Sequence, residues 1–118
     1  MRAKDILGRR GEELATEYLR QRGFEVIQRN WRCPIGEIDI VARTGPTLVV
    51  VEVKTRASTA YGHPFEAITP EKLRRLYLLA SAWRAAHDLG RGPVRVDVVG
   101  ILCPATGEPT IEHLQGVA

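Results

Sequence analysis

The run Leu48-Val49-Val50-Val51 constrains this chain more than any other stretch, because it stops abruptly at Glu52-Val53-Lys54. An apolar run this rich in β-branched residues reads as a buried strand, and this one ends in two opposite charges. Side chains alternate along a strand, so Leu48, Val50, Glu52 and Lys54 share one face and Val49, Val51 and Val53 the other. In the preceding segment the same rule sets Glu37, Asp39 and Val41 opposite Ile38, Ile40 and Ala42. Thr44-Gly45-Pro46-Thr47 between them reads as a tight turn. Pairing symmetric about Gly45-Pro46 puts Asp39 across from Glu52 and Glu37 across from Lys54, so four charged groups converge.

Directly opposed side chains have Cβ atoms about 4.5 to 5.5 Å apart, and like charges placed in this way repel. A divalent cation compensates such a pair. Asp39 and Glu52 beside the backbone carbonyl of Val53 suit a hard ion, Mg²⁺ or Mn²⁺. Lys54, on the Glu52 face, is placed to stabilise charge growing on a phosphate or to orient an attacking water.

The rest of the chain alternates helices and strands. Leu7, Leu14, Ala15, Tyr18 and Leu19 recur at helical spacing and Gly23 supplies a stop, which predicts a helix over 5–22. Glu12 falls at the edge of its apolar stripe, whereas Glu13 joins Glu17 and Arg20 on the solvent side. Phe24 to Gln28 reads as a short edge strand. The following Arg29-Asn30-Trp31-Arg32 interleaves basic and aromatic groups that can grip phosphates, with Trp31 read as core. Thr55 to Pro64 lacks periodicity and reads as a loop beside the site, with Arg56 a phosphate ligand and His63 a loop histidine.

Thr69-Pro70-Glu71 opens a second helix whose apolar side runs through Leu73, Leu76, Tyr77, Ala80, Trp83 and His87 to a stop near Gly90. Lys72, Arg74 and Arg75 lie in its first turns, where free backbone N–H groups also attract anions. Pro93 to Leu102 reads as a strand in which Asp97 pairs with Arg95 or a loop N–H, and Thr110 to Leu114 reads as a short terminal strand.

A length of 118 residues with 44% hydrophobic content fits one domain over 1–118. No apolar run approaches the ~20 residues of a membrane span, and the charged start MRAKDILGRRGEE is unlike a signal peptide, so the expected location is the cytoplasm. Cys33 and Cys103 form no CxxC and are read as reduced. All 17 Lys and Arg lie in residues 1 to 95, a bias toward an anionic partner.

Asp39 followed by Glu52-Val53-Lys54 resembles the PD-(D/E)xK signature of restriction-endonuclease-like nucleases, with Ile38 standing where the signature has proline. The signature comes with Gly11-Glu12-x-x-Ala15-x-x-Tyr18-Leu19, Gly23, Asn30-x-Arg32, Gly36-Glu37-Ile38-Asp39, Arg56, Gly62 and Lys72. That string is similar to the bacterial YraN family, itself held to resemble archaeal Holliday junction resolvases. The resemblance implies an αβββαβ restriction-endonuclease-like core, where the pattern alone gives α/β with a mixed sheet. It also implies that Glu12 lies close to the metal site.

The expectation is therefore a metal-dependent nuclease hydrolysing DNA phosphodiester bonds, with branched or damaged DNA as candidate substrates. Asp39, Glu52 and Val53 hold the metal, Lys54 assists the water, Glu12 supports the site, and Arg29, Arg32, Arg56, Lys72 and Arg75 contact phosphates. Symmetric cleavage of two strands would favour a homodimer. The rival expectation is a non-cleaving nucleic-acid-binding or adaptor protein that keeps a vestigial site. A structural domain with a charged hairpin is a third, and it leaves the opposed carboxylates uncompensated.

Overall fold

A computed structural model describes residues 3–60, 62–87 and 92–117, with side chains from residue 5 onward. The elements are α1 (Ala3–Gln21), β1 (Glu25–Cys33), β2 (Gly36–Thr44), β3 (Thr47–Arg56), a short 3-10 helix (Pro64–Ala67), α2 (Pro70–His87), β4 (Val94–Leu102) and β5 (Thr110–Leu114). They build an α/β fold, a five-stranded mixed sheet in the order β1-β2-β3-β4-β5. Strands β1 to β3 form an antiparallel meander, β4 runs parallel to β3, and β5 returns antiparallel to β4. The parallel step needs a crossover, and α2 supplies it. The arrangement is consistent with the αβββαβ core expected from the motifs.

Each face of the sheet has its own core. Ala15 and Leu19 of α1 pack with Ile40, Ala42, Val49, Val51, Val99 and Ile101. Leu76, Leu79, Ala80 and Trp83 of α2 pack with Ile38, Val41, Leu48, Val50 and Val96 on the other face. The unbroken valines of β3 are thus the signature of a strand covered on both sides. Helix α2 starts as expected, with Thr69 Oγ1 accepting from Lys72 N at 3.2 Å. Its apolar side includes Leu79, which the sequence reading passed over, while Tyr77 is 38% exposed. The expected stop near Gly90 lies outside the described residues. His87 packs, stacking on Trp83 at 4.2 Å and donating from Nδ1 to Trp83 O at 2.7 Å.

Strand β1 corrects the sequence reading, since it runs on to Cys33 and takes in Arg29-Asn30-Trp31-Arg32. Two irregularities hid its length: a register shift that leaves Ile27 as an extra residue, and Asn30 with φ +55°. Trp31 packs against the α2-side core as expected. The segment expected as a loop, Thr55 to Pro64, begins inside β3, which runs to Arg56, and a 3-10 helix opens at its last residue. His63 caps it by accepting from Phe65 N at 3.1 Å, and His63 Nε2 contacts Glu112 at 2.7 Å.

Asp97 is fully buried and accepts from Arg95 Nε at 2.8 Å, Arg95 Nη2 at 2.9 Å and Gly116 N at 3.0 Å, as its strand position suggested. His113 Nε2, 2.8 Å away, completes the cluster, a partner from β5 that no local pattern announced. Burial alone would raise the Asp97 pKa, but the hydrogen bonds from His113, Arg95 and the Gly116 N–H outweigh it and hold the carboxyl below its ordinary value.

Helix α1 approaches β3 closely at Gly11, where an added Cβ would collide with the Thr55 side chain. That approach seats the neighbouring Glu12 against the end of the sheet. Gly11→Ala should destabilise the fold by about 1–3 kcal/mol through overpacking. Adding Thr55→Ala should recover part of that loss in denaturant unfolding, and full additivity of the two changes would show that the contact is not the cause.

Candidate active site

Strands β2 and β3 pair in the expected register, from Thr44↔Thr47 to Ile40↔Val51, and there the ladder stops. Beyond it Asp39 turns into the gap, its Oδ2 accepting from Val53 N at 2.8 Å. The expected alternation of faces breaks at this point: Ile38 packs with the α2-side core and Ile40 with the α1-side core, although they are two residues apart. The partner strand does the same around Asn30. Arg29 reaches Glu12 of α1 while Trp31 packs on the α2 side. The left-handed backbone of Asn30, rare for a residue other than glycine, accompanies this reversal.

Four charges therefore do not meet on one face. Glu37, expected opposite Lys54, instead accepts from Arg32 Nε at 3.1 Å. Glu52 lies between Val51 and Val53, both packed on the α1 side, so its position points toward α2. Asp39 lies with Glu12, Val53, Lys54, Thr55 and Arg56 along a cleft of ≈ 320 Å³ on the α1 side. The two carboxylates meet across the place where the strands part, within hydrogen-bonding reach of each other. Lys54 Nζ is 4.0 Å from Glu52 Oε1, both side chains being mostly covered.

Electrostatics single out Asp39. Burial, then the hydrogen bond and the charge of Glu52, push its pKa up to about 8 against the opposing pull of the Val53 N–H. Glu12 is also raised, first by burial and then by the charge of Asp39, while Arg29 and a hydrogen bond from Asn30 work the other way. Lys72 of α2 is lowered, chiefly by the charge of Lys54. Two ammonium groups thus stand beside Glu52, an arrangement that depends on how α2 crosses the sheet.

Among the described residues no three or more His, Cys, Asp or Glu side chains converge as a metal cage. The expected donors, Asp39, Glu52 and the Val53 carbonyl, include only two carboxylates. A proton held to about pH 8 shows a site with more negative charge than its dry surroundings tolerate, which a hard cation could relieve.

The expected phosphate contacts divide into groups. Arg29 and Arg32 line a cleft of ≈ 510 Å³ between α1 and β1 with Arg9, Glu12, Glu13 and Asn30, of which Arg9 was not anticipated. Arg56 lines the carboxylate cleft, its Nη1 donating to Thr55 O at 3.2 Å. Lys72 is half-buried beside Lys54, and exposed Arg75 lies next to Gly36 at the start of β2. Among the described residues no helix is long and apolar enough to cross a membrane.

The model of Uncharacterised protein family UPF0102 matches residues 11–101, which span α1 to β4 and every residue of the carboxylate site. Curated UPF0102 proteins align over nearly the whole chain. One from Arthrobacter sp. (strain FB24) is 60% identical, covering 99% of each chain, and one from Paenarthrobacter aurescens is 56% identical, covering 99% of this chain and 97% of its own. A UPF0102 protein of Streptomyces coelicolor is 51% identical, over 100% of this chain and 92% of its own.

The raised Asp39 fixes the sign of a pH effect. Between about pH 4 and pH 8 the native state keeps a proton that the unfolded chain has lost, so metal-free stability should fall as pH rises through that window. Asp39→Asn should flatten the slope, leaving the smaller part of the same sign due to Glu12. Urea unfolding in chelator at several pH values reads this directly, and equal slopes for the two proteins would refute the assignment.

Proposed function

This chain belongs to the uncharacterised protein family UPF0102, the YraN family of its motifs, and from its carboxylate site we propose that it is a metal-dependent nuclease that hydrolyses DNA phosphodiester bonds. The observation that carries this reading is the half-buried Asp39–Glu52 pair with Lys54 beside it, at the point where β2 and β3 separate. Asp39, Glu52 and the Val53 carbonyl would hold Mg²⁺ or Mn²⁺, which when bound supplies Lewis-acid activation of a water and of a phosphoryl oxygen.

The chain's own groups do the rest. In hydrolysis a water oxygen forms a bond to phosphorus as the P–O bond to the leaving strand breaks, and negative charge grows on the phosphoryl oxygens. Lys54 stabilises that charge from a partly dry position, where an ammonium is worth more than in water. The Val53 N–H holds Asp39 Oδ2 in a fixed orientation. Glu12 adds negative potential from the α1 side, and Lys72 doubles the positive charge on the α2 side. Arg29, Arg32, Arg56 and Arg75 contact the phosphate backbone, which positions a strand without reading its sequence. Branched or damaged DNA offers the separated strands that fit such a site, a homodimer would cut two strands symmetrically, and the cytoplasm is where such DNA is met.

Cleavage of duplex, single-stranded, flap and four-way-junction DNA with Mg²⁺ or Mn²⁺ tests the reading. Lys54→Ala should lower the rate at least about 100-fold and Asp39→Asn should abolish it. In thermal melts the metal should raise the wild-type midpoint and leave Asp39→Asn unmoved. Equal metal shifts in both proteins would overturn the metal site. Salt-dependent DNA binding without cleavage would instead support a non-cleaving adaptor.

A further inference from the structure

The cleft between α1 and β1 carries an ion pair that neither partner satisfies. Arg29 Nη2 lies 3.6 Å from Glu12 Oε1, too far for a hydrogen bond, although these side chains are only 35% and 16% exposed. Glu12 Oε1 and Arg29 Nε are both buried without a hydrogen-bond partner among the described residues. Native proteins seldom leave such atoms unpaired, and where they do, a missing ligand is one of the few explanations. The backbone points the same way. Asn30 is the one non-glycine residue with positive φ among the described residues, and strained positions of this kind gather at binding sites. Asn30 lines the same cleft as Glu12, and its conformation accompanies the reversal that turns Arg29 toward α1.

We propose that this cleft is a phosphate subsite, separate from the carboxylate site, which a phosphate occupies by taking Arg29 away from Glu12. Arg9, Arg29 and Arg32 line it, against Glu12 and Glu13. Arg32 also meets Glu37, but its side chain is 77% exposed, so that pair yields readily to a competing anion. A tetrahedral phosphate can accept from several guanidinium forks at once, which the single Glu12 carboxylate at 3.6 Å does not. Glu12 walls both this cleft and the one holding Asp39, so a strand whose scissile phosphate sits at Asp39 brings a neighbouring phosphate here. That last step rests on the nuclease reading. The subsite itself does not.

The test uses the intact chain in chelator, where no cleavage occurs, with inorganic phosphate titrated calorimetrically at constant ionic strength. Arg29→Gln should weaken phosphate binding at least about tenfold, and Arg32→Gln, on an exposed side chain that folding does not need, should weaken it several-fold. Glu12→Gln should tighten binding by about three- to tenfold because the competing carboxylate is gone, whereas Glu13→Gln removes the same charge from the same cleft and should change it less than about twofold. Equal tightening by the two glutamine variants would reduce the effect to bulk electrostatics and overturn the exchange of partners. Unchanged affinity in Arg29→Gln and Arg32→Gln would remove the subsite altogether. Tetranucleotides with and without a 5′-phosphate, competed against inorganic phosphate, separate the two sources. A preference for the phosphorylated form marks a terminal phosphomonoester and equal competition marks a backbone phosphodiester, both supporting the subsite. Oligonucleotides that bind without displacing phosphate would overturn its role in holding substrate. Loss of DNA cleavage activity would leave this result standing, and failure of phosphate binding would leave the metal site standing.

Discussion

The hydrogen bond from the Val53 N–H to Asp39 decides how this sheet ends. Had β2 and β3 stayed paired past Ile40↔Val51, Asp39 and Glu52 would be ordinary cross-strand neighbours. By accepting from Val53 across the widening gap, Asp39 satisfies a backbone donor and parts the strands with one contact. Its carboxyl is then brought next to Glu52 inside the gap, where water is scarce. The unusual protonation of Asp39 and the placement of Lys54 both follow from that geometry.

The helices complete the site from opposite sides. Gly11 lets α1 come down on Thr55, which carries Glu12 to the α1 side of the gap, and the crossover helix α2 brings Lys72 to the other. Glu12 and Lys72 thus flank, from opposite sides, the gap where Asp39 and Glu52 meet. Flanking the gap from two sides needs a sheet with both faces covered, and the continuous valines of β3 are its prerequisite.

Much of this was legible in the sequence. The valine run, the Gly45-Pro46 turn, the capped start at Thr69 and the register of the central hairpin are local signals, and each element formed where its pattern put it. What escaped was whatever breaks the strand period. The alternation rule assumes an unbroken pleat, so it could not foresee that Ile38 and Ile40 would face opposite ways, or that β1 would run on through Asn30. His113 at Asp97, Lys72 at Lys54 and Arg9 beside Arg29 join residues far apart in the chain, and no spacing rule reaches across such distances.

The irregularities of β1 matter beyond the cleft they shape. This strand is an outer strand of the sheet, with Ile27 partly exposed, and a flat free edge is a template on which another chain can add. The extra residue at Ile27 and the left-handed turn at Asn30 interrupt the row of outward-pointing donors and acceptors that such a template requires, and Arg29 and Arg32 line the interruption with charge. The distortion that aims an arginine at α1 also makes the first strand a poorer template for self-association, so straightening Asn30 would restore a flatter free edge.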